Sequence, residues 1–265
     1  MIVHDEQTGL FTLHTRASTY QMKVDEYHVL LHTYYGPRVG ETDLSRLIRH
    51  ADRGFSPNPG EAGHCRTYSL DTLPQEYSTC GAGDFRLPSL ELELPDGSRV
   101  ADLRWVGYEI REGKYALEGL PAFFGPGGET LVLFLEDETA KVTVELYYGI
   151  FEEYDLITRA ADCKPGTQAG KACTGPLAAC LDFPRADLDL ITFDGRHAME
   201  RCLNRAPLRP GVQSVGSVRG TSSHQHNPFL VLCDRDAGAG ARAFVLAPCC
   251  CIAATLKGRW SAASL

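Results

Sequence analysis

The stretch Thr130-Leu-Val-Leu-Phe-Leu135, Glu136-Asp-Glu-Thr-Ala140, Lys141-Val-Thr-Val-Glu-Leu-Tyr-Tyr148 decides the fold. Two runs of β-branched, aliphatic and aromatic residues enclose five short residues, three of them acidic, as a hairpin connection does. The same punctuation recurs on both sides. Leu10 to Thr15 and Thr19 to Val24 alternate apolar with polar residues. His28 to Tyr35 is richer in apolar residues and stops at Gly36-Pro37. Ser89-Leu-Glu-Leu-Glu-Leu94 alternates without a break and runs into Pro95-Asp-Gly97. There proline presets the turn and glycine accepts a positive φ. Ser98 to Arg111 reads as another hairpin arm, and Tyr154 to Arg159, Leu188 to Phe193 and Phe229 to Cys233 read as further strands. Asp43 to His50 predicts a helical turn or two, and Lys164 to Thr174 an exposed loop. The pattern predicts an all-β fold: one large sandwich of antiparallel sheets over residues 1–242 with few short helices. An anomalous tail follows over residues 243–265.

Composition narrows the partners. The chain has 265 residues, 43% of them apolar, a net charge of -8 and a pI near 5.6. Lys and Arg are scattered with no basic stripe, so no nucleic-acid partner is expected. A neutral substrate such as a sugar suits the balance better than a polyanion. Met1-Ile-Val-His-Asp-Glu-Gln7 has neither a basic n-region nor an apolar h-region. The longest apolar run, Ala243 to Leu256, is too short to span a bilayer and contains Pro248. A soluble, cytoplasmic chain with no membrane partner is expected. Its ten cysteines are then expected as reduced thiols.

The region between the strands is different. Asp52-Arg-Gly-Phe-Ser-Pro-Asn-Pro59, Arg66-Thr-Tyr-Ser-Leu-Asp-Thr-Leu-Pro-Gln-Glu-Tyr77 and Gly83-Asp-Phe-Arg86 mix charges, prolines, glycines and aromatics. A core is built from aliphatic periodicity, so this mixture points to ordered binding loops on a rigid scaffold.

These pieces, together with Leu117-Glu-Gly-Leu-Pro-Ala122, Tyr154-Asp-Leu-Ile-Thr-Arg159, Leu181-Asp-Phe-Pro184, Pro207-Leu-Arg-Pro-Gly211 and Ser222-Ser-His-Gln-His-Asn-Pro-Phe229, follow one another in a known order. From about Leu10 to about Leu232 the chain resembles the N-terminal domain of family 36 glycoside hydrolases, the bacterial α-galactosidases. The resemblance implies a β-supersandwich that precedes a (β/α)₈ barrel. In such enzymes the barrel supplies a nucleophile and an acid/base carboxylate for retaining hydrolysis of terminal α-galactosides. The nucleophile follows a Lys-Trp-Asp pattern, and the nearest string here, Lys23-Val24-Asp25, lies in a predicted strand and carries no weight. The resemblance therefore implies no catalytic residue in this chain, no cofactor and no metal. It also implies homo-oligomers in the intact enzyme, in which a loop of this domain walls the galactose pocket of a neighbouring subunit's barrel. By position the residues that would do so are Asp52 and Arg66. A carboxylate accepts sugar hydroxyl protons, and a guanidinium donates a fixed fork.

Each candidate also has an ordinary structural reading. Asp52 and Arg66 can form a salt bridge that pins a long loop. Asp71, Glu76, Asp84 and Arg86 read as loop-ordering groups, with Asp71 capping a turn and Asp84 pairing with Arg86. His224 and His226 share one strand face, where zinc or a hydrogen-bonded turn at Asn227-Pro228 would both use them; the turn is expected. Cys163 and Cys173 flank a Gly- and Lys-rich loop and are expected unbridged.

The tail departs from the family, which continues with Tyr-Ser-Gly-Asn-Phe. Here Cys249-Cys-Cys-Ile-Ala-Ala-Thr-Leu256 stands instead. Reading the last base of each codon with the first two of the next allows these junctions to spell Leu-Leu-Tyr-Ser-Gly-Asn-Phe, one of several strings that degenerate third bases permit. A frame slip shortly before Cys249 is expected; the alternative is a genuine cysteine-rich tail that is palmitoylated or binds a soft metal. Three functions thus compete: the sandwich of an α-galactosidase, a non-catalytic sugar-binding or assembly module, and an inert fragment. Neither galactoside hydrolysis nor galactose binding is expected of the chain by itself.

Overall fold

A computed structural model describes residues 1–54, 58–117, 123, 125–165, 173–176, 179–183, 185, 187–217, 224–238, 245–246 and 256–262. Phe55 to Pro57, residues 118–122, residues 166–172 of the predicted Lys164–Thr174 loop, Pro184, Ser222, Ser223 and Cys249 to Cys251, all singled out in the sequence, lie outside the described residues. Within the 243–265 tail only the backbone of 245–246 and 256–262 is described.

Alternating apolar runs become strands throughout, and every strand pair within the sheets is antiparallel. The all-β expectation holds. Helical structure among the described residues is confined to 3₁₀ turns at Ser45–Leu47, Gly60–Ala62 and Glu152–Tyr154. The chain divides into two compact units, residues 1–115 with 125–182, and residues 116–124 with 183–265.

The first unit holds β1 (Ile2–Asp5), β2 (Leu10–His14), β3 (Ser18–Val24), β4 (Leu30–Pro37), β5 (Leu90–Leu92), β6 (Arg104–Glu112), β7 (Glu129–Asp137), β8 (Val142–Phe151), β9 (Leu156–Pro165) and β10 (Cys173–Pro176). One sheet runs β1-β2-β3-β4, another β6-β7-β8-β9, and β5 pairs with β10. The decisive hairpin is β7–β8, in register from Glu129↔Ile150 to Asp137↔Val142. Period-two alternation aims Phe11, Leu13, Tyr20 and Met22 at Leu131, Leu133, Val144, Leu146 and Tyr148, and these form the main core. Pro95-Asp-Gly97 turns as read: Gly97 sits at φ 82°, and the Leu94 and Ser98 backbones bond across the turn. The strand before it does not pair with the strand after it, because β5 takes β10 and β6 takes β7.

A second apolar cluster anchors the polar loops. Ala62, Tyr68, Leu70 and Leu73 pack on Val29 and Leu31 at the start of β4. The backbone of residues 74–76 adds itself to β4 through His32 N–H to Pro74 O at 2.7 Å and Glu76 N–H to Leu30 O at 2.9 Å. The loop region is therefore fastened to the sandwich both by burial and by main-chain bonds.

The second unit holds β11 (Leu188–Arg196), β12 (Met199–Pro207), β13 (Gly211–Ser217), β14 (His226–Asp234), β15 (Val245–Leu246) and β16 (Leu256–Ala262), in sheets β12-β11-β14-β15 and β13-β16. Its buried residues include Leu188, Leu190, Val215, Leu230 and Leu232. One expectation is overturned: Cys163, on β9, is disulfide-bonded. Inferring reduced thiols from an assumed compartment ignored geometry, and the fold brings a second sulfur within bonding reach. Cys65, Cys80, Cys180, Cys202 and Cys233 are free thiols.

Candidate functional site

Asp52 and Arg66 stand on opposite limbs of the loop that follows β4. The two limbs are tied by Arg53 N–H to Arg66 O at 3.1 Å. Asp52 Oδ1 accepts Gly54 N–H at 2.8 Å and Arg66 Nε–H at 3.1 Å, and Arg66 Nη2 lies 3.0 Å from the same oxygen. The sequence reading paired these residues as alternatives, loop pin or ligand contact. The structure brings them together as an ion pair that is 54% and 64% exposed. At that exposure the pair itself contributes little to stability. Among the described residues, Asp52 Oδ2 makes no hydrogen bond.

What holds this loop lies beneath it. Arg53 donates from Nη2 to Asp71 Oδ2, and Asp71 Oδ1 accepts Phe85 N–H at 3.4 Å. Asp84 is buried and forms a hub. Its Oδ1 accepts Arg86 N–H at 2.9 Å and Nε–H at 3.0 Å, and its Oδ2 accepts Gln75 Nε2 at 2.7 Å and Arg86 Nη2 at 2.9 Å. Arg86 Nη2 also donates to the carbonyls of Leu70 and Leu73, at 2.9 and 2.8 Å, and its Nη1 to Asp182 at 2.9 Å. Burial works against charge on Arg86, but Asp84 and Asp182 more than offset it and hold the guanidinium firmly protonated. Asp71, Asp84 and Arg86 thus order the loops, as read from the sequence. Phe85, between them, is left 77% exposed.

Glu76 lies in the loop region, but its side chain enters the core of the first unit instead of ordering the loop. It is fully buried, and Arg159 Nη2 from β9 meets its Oε1 at 2.5 Å. Tyr20 and Tyr148 each donate a hydroxyl to it at 2.7 Å, and His32 Nδ1 lies 3.4 Å from Oε2. The Arg159 guanidinium also lies over the Tyr148 ring, 5.0 Å from its centroid. Burial alone would raise the Glu76 carboxyl. Arg159, His32 and Tyr20 together bring it below the ordinary carboxylate value. This pair was invisible in the sequence, because nothing local says that two charges from separate motifs meet in a core. The only signal was their occurrence within two of the quoted pieces. Asp155, in the second of these, is likewise structural. Its Oδ1 accepts Thr15 Oγ1–H, Ala17 N–H at 3.1 Å and Ser18 Oγ–H at 3.2 Å.

In the second unit, His226 Nδ1 lies 3.0 Å from Asp194 Oδ1. No group of three metal-binding side chains occurs among the described residues. No helix there is long and apolar enough to cross a membrane.

Comparison with known proteins bears on what such a loop serves. Residues 28–241 match the family described as "Glycosyl hydrolase family 36 N-terminal domain". The chain is 47% identical over 236 residues to the bifunctional alpha-galactosidase/sucrose kinase AgaSK of Mediterraneibacter gnavus, covering 88% of this chain and 25% of that protein. It is 38% identical over 239 residues to alpha-galactosidase AgaA of Geobacillus stearothermophilus, covering 89% and 32%. Among solved structures, the galactosidase domain of AgaSK aligns with a TM-score of 0.84 at 46% identity, over 89% of this chain and 33% of that one. The family 36 alpha-galactosidase AgaB of Geobacillus stearothermophilus aligns with a TM-score of 0.82 at 39% identity, over 89% and 32%. The chain thus spans about a quarter to a third of the length of these relatives. With its fold and its ordered motifs, this places the chain in glycosyl hydrolase family 36, of which it is the N-terminal domain.

Proposed function

We propose that this chain is the N-terminal sandwich of an α-galactosidase and that its loop presents Asp52 and Arg66 to the galactose bound in a neighbouring subunit's barrel. The carrying observation is the contrast between pair and support. Asp52 and Arg66 are more than half exposed, yet the loop beneath them is fixed by the buried Asp84 with its partner Arg86 and by a separate apolar cluster. A pair needed only for stability has no use for such an anchor, whereas groups that must meet a substrate have to be held in place. Asp52 Oδ2 and the unused N–H groups of Arg66 match the acceptor and donor that vicinal sugar hydroxyls require. Retaining hydrolysis by two carboxylates belongs, in this reading, to the barrel, and the sandwich contributes binding. The relatives named above are α-galactosidases, and a related AgaA variant from Geobacillus stearothermophilus has been solved in complex with raffinose. Terminal α-galactosides of oligosaccharides are accordingly the proposed substrates, and a homo-oligomer the proposed working form.

The test is a chimera in which residues 1–242 replace the corresponding part of the AgaSK galactosidase domain. The chimera is expected to hydrolyse an aryl α-galactoside, and the chain alone is expected not to. Comparable hydrolysis by the chain alone overturns the reading, as does a folded, correctly assembled chimera without activity.

A further inference from the structure

The turn between β3 and β4 carries a strained residue held in place from several sides. His28 sits at φ 60°, a region that residues with a Cβ seldom occupy and that recurs at ligand clamps. Asp25 Oδ1 accepts the N–H groups of Tyr27 and Val29, at 2.9 and 2.8 Å, and its Oδ2 accepts the Tyr68 hydroxyl at 2.5 Å. From β6, Trp105 N–H bonds to His28 O at 2.8 Å, and Arg104 Nη1 to Tyr27 O at 2.8 Å. These bonds keep the exposed His28 ring almost parallel to the Trp105 ring, tilted by 9° with centroids 6.4 Å apart. The Trp105 indole N–H is shut off from water and has no hydrogen-bond partner among the described residues. A strained histidine and an indole with an unused donor are both unexplained by the loop described above.

Both rings line a cleft of about 730 Å³ that also receives Tyr108, Tyr68, Glu6 and Glu26. Its lysine, Lys23, is already neutralised by Asp43 at 2.7 Å and bonded to Ser45 at 3.0 Å. Among the described residues, Glu6 meets only the Tyr108 hydroxyl, at 3.4 Å, and Glu26 is exposed. Aromatic faces favour the C–H faces of a ring, carboxylate oxygens accept hydroxyl protons, and an unneutralised acidic rim repels anions. We propose that the cleft lined by His28 and Trp105 binds a neutral saccharide, one pyranose ring lying against the exposed aromatic faces and its hydroxyls meeting Glu6 and Glu26. Nothing in this proposal uses Asp52 or Arg66.

The full chain is titrated with raffinose, with galacturonate as an anionic ring of similar shape, by calorimetry and tryptophan emission. Raffinose is expected to bind saturably in the millimolar range and to shift the emission, and galacturonate to bind about tenfold more weakly. Trp105→Ala is expected to abolish binding. His28→Gly is expected to weaken it about tenfold while keeping or raising the melting temperature, since glycine accepts this φ without strain. Asp52→Ala is expected to leave raffinose binding unchanged, so failure here and failure of the galactosidase reading are told apart. Absence of saturable raffinose binding overturns the proposal. So does binding that survives both cleft variants, binding lost in Asp52→Ala, or galacturonate binding as tight as raffinose.

Discussion

Glu76 and Arg159 show what one residue pair does in this fold. A charge at zero exposure is tolerated only because a guanidinium and two phenols surround it. Removing one partner leaves the other buried and unpaired, which costs about 3–5 kcal/mol. Glu76→Gln and Arg159→Met are each expected to lower the unfolding free energy measured in urea by that amount. The double variant is expected to cost clearly less than the sum, and additive losses would refute the pairing. The pH dependence follows from the same contacts. The folded carboxyl titrates below its ordinary value of 4.5, so its contribution is complete above that value and is lost as pH falls through the lower, folded one. Acid unfolding of the wild type is expected to steepen below about pH 4.5, and in Glu76→Gln this component is expected to vanish. None of this was legible in the sequence. Asp52, Arg66, Asp84 and Arg86 were, because their partners lie within one loop region. Glu76 was misplaced among them, because its partner comes from β9.

Among the elements, strands whose apolar side chains alternate were the easiest to read. The β7–β8 hairpin and β2–β3 alternate because one face carries the apolar core, while buried polar residues such as Thr12, His14, Thr19 and Gln21 occupy the other face of β2–β3 and bond to one another or to nearby loops. β12 went unread because all nine of its residues are exposed, and Met199-Glu-Arg-Cys-Leu-Asn-Arg-Ala-Pro207 has the charges and terminal proline of a sheet edge rather than an alternating face. The pairing of β5 with β10 was also hidden, since a turn signal fixes the turn and not the partners beyond it. Glycine at the entry to β7 carries a specific constraint. Gly128 has φ +104°, and a Cβ there would lie 2.9 Å from Phe151 Cε1 and 3.2 Å from Ile150 O. Gly128→Ala is expected to cost about 1–3 kcal/mol, and unchanged thermal unfolding would contradict the assigned β7–β8 register. At the β8–β9 connection, Asp155 stands at φ 52° and ties three groups of residues 15–18. Asp155→Ala is expected to cost about 2 kcal/mol, and Asp155→Asn much less, because asparagine accepts both the conformation and the bonds.

For the molecule as a whole, two units of unequal core follow from where the apolar side chains lie. Among the described residues, the first unit buries Leu131, Leu133, Val142, Val144, Tyr148 and their partners from β2 and β3, while the second buries far fewer large side chains. Hydrogen exchange is expected to be slowest in β7 and β8 and markedly faster in β11 and β14; equal protection would contradict the unequal cores. In the proposed function, the scaffold holds the exposed Asp52 carboxylate and Arg66 guanidinium still. That claim is tested most directly by steady-state kinetics on the AgaSK chimera carrying Asp52→Ala or Arg66→Ala. Loss of a hydrogen bond to a charged group is worth about 1.5–3 kcal/mol, so kcat/KM for an aryl α-galactoside is expected to fall by roughly 10- to 100-fold, with melting temperature and oligomeric state unchanged. Wild-type kcat/KM in both variants would contradict it.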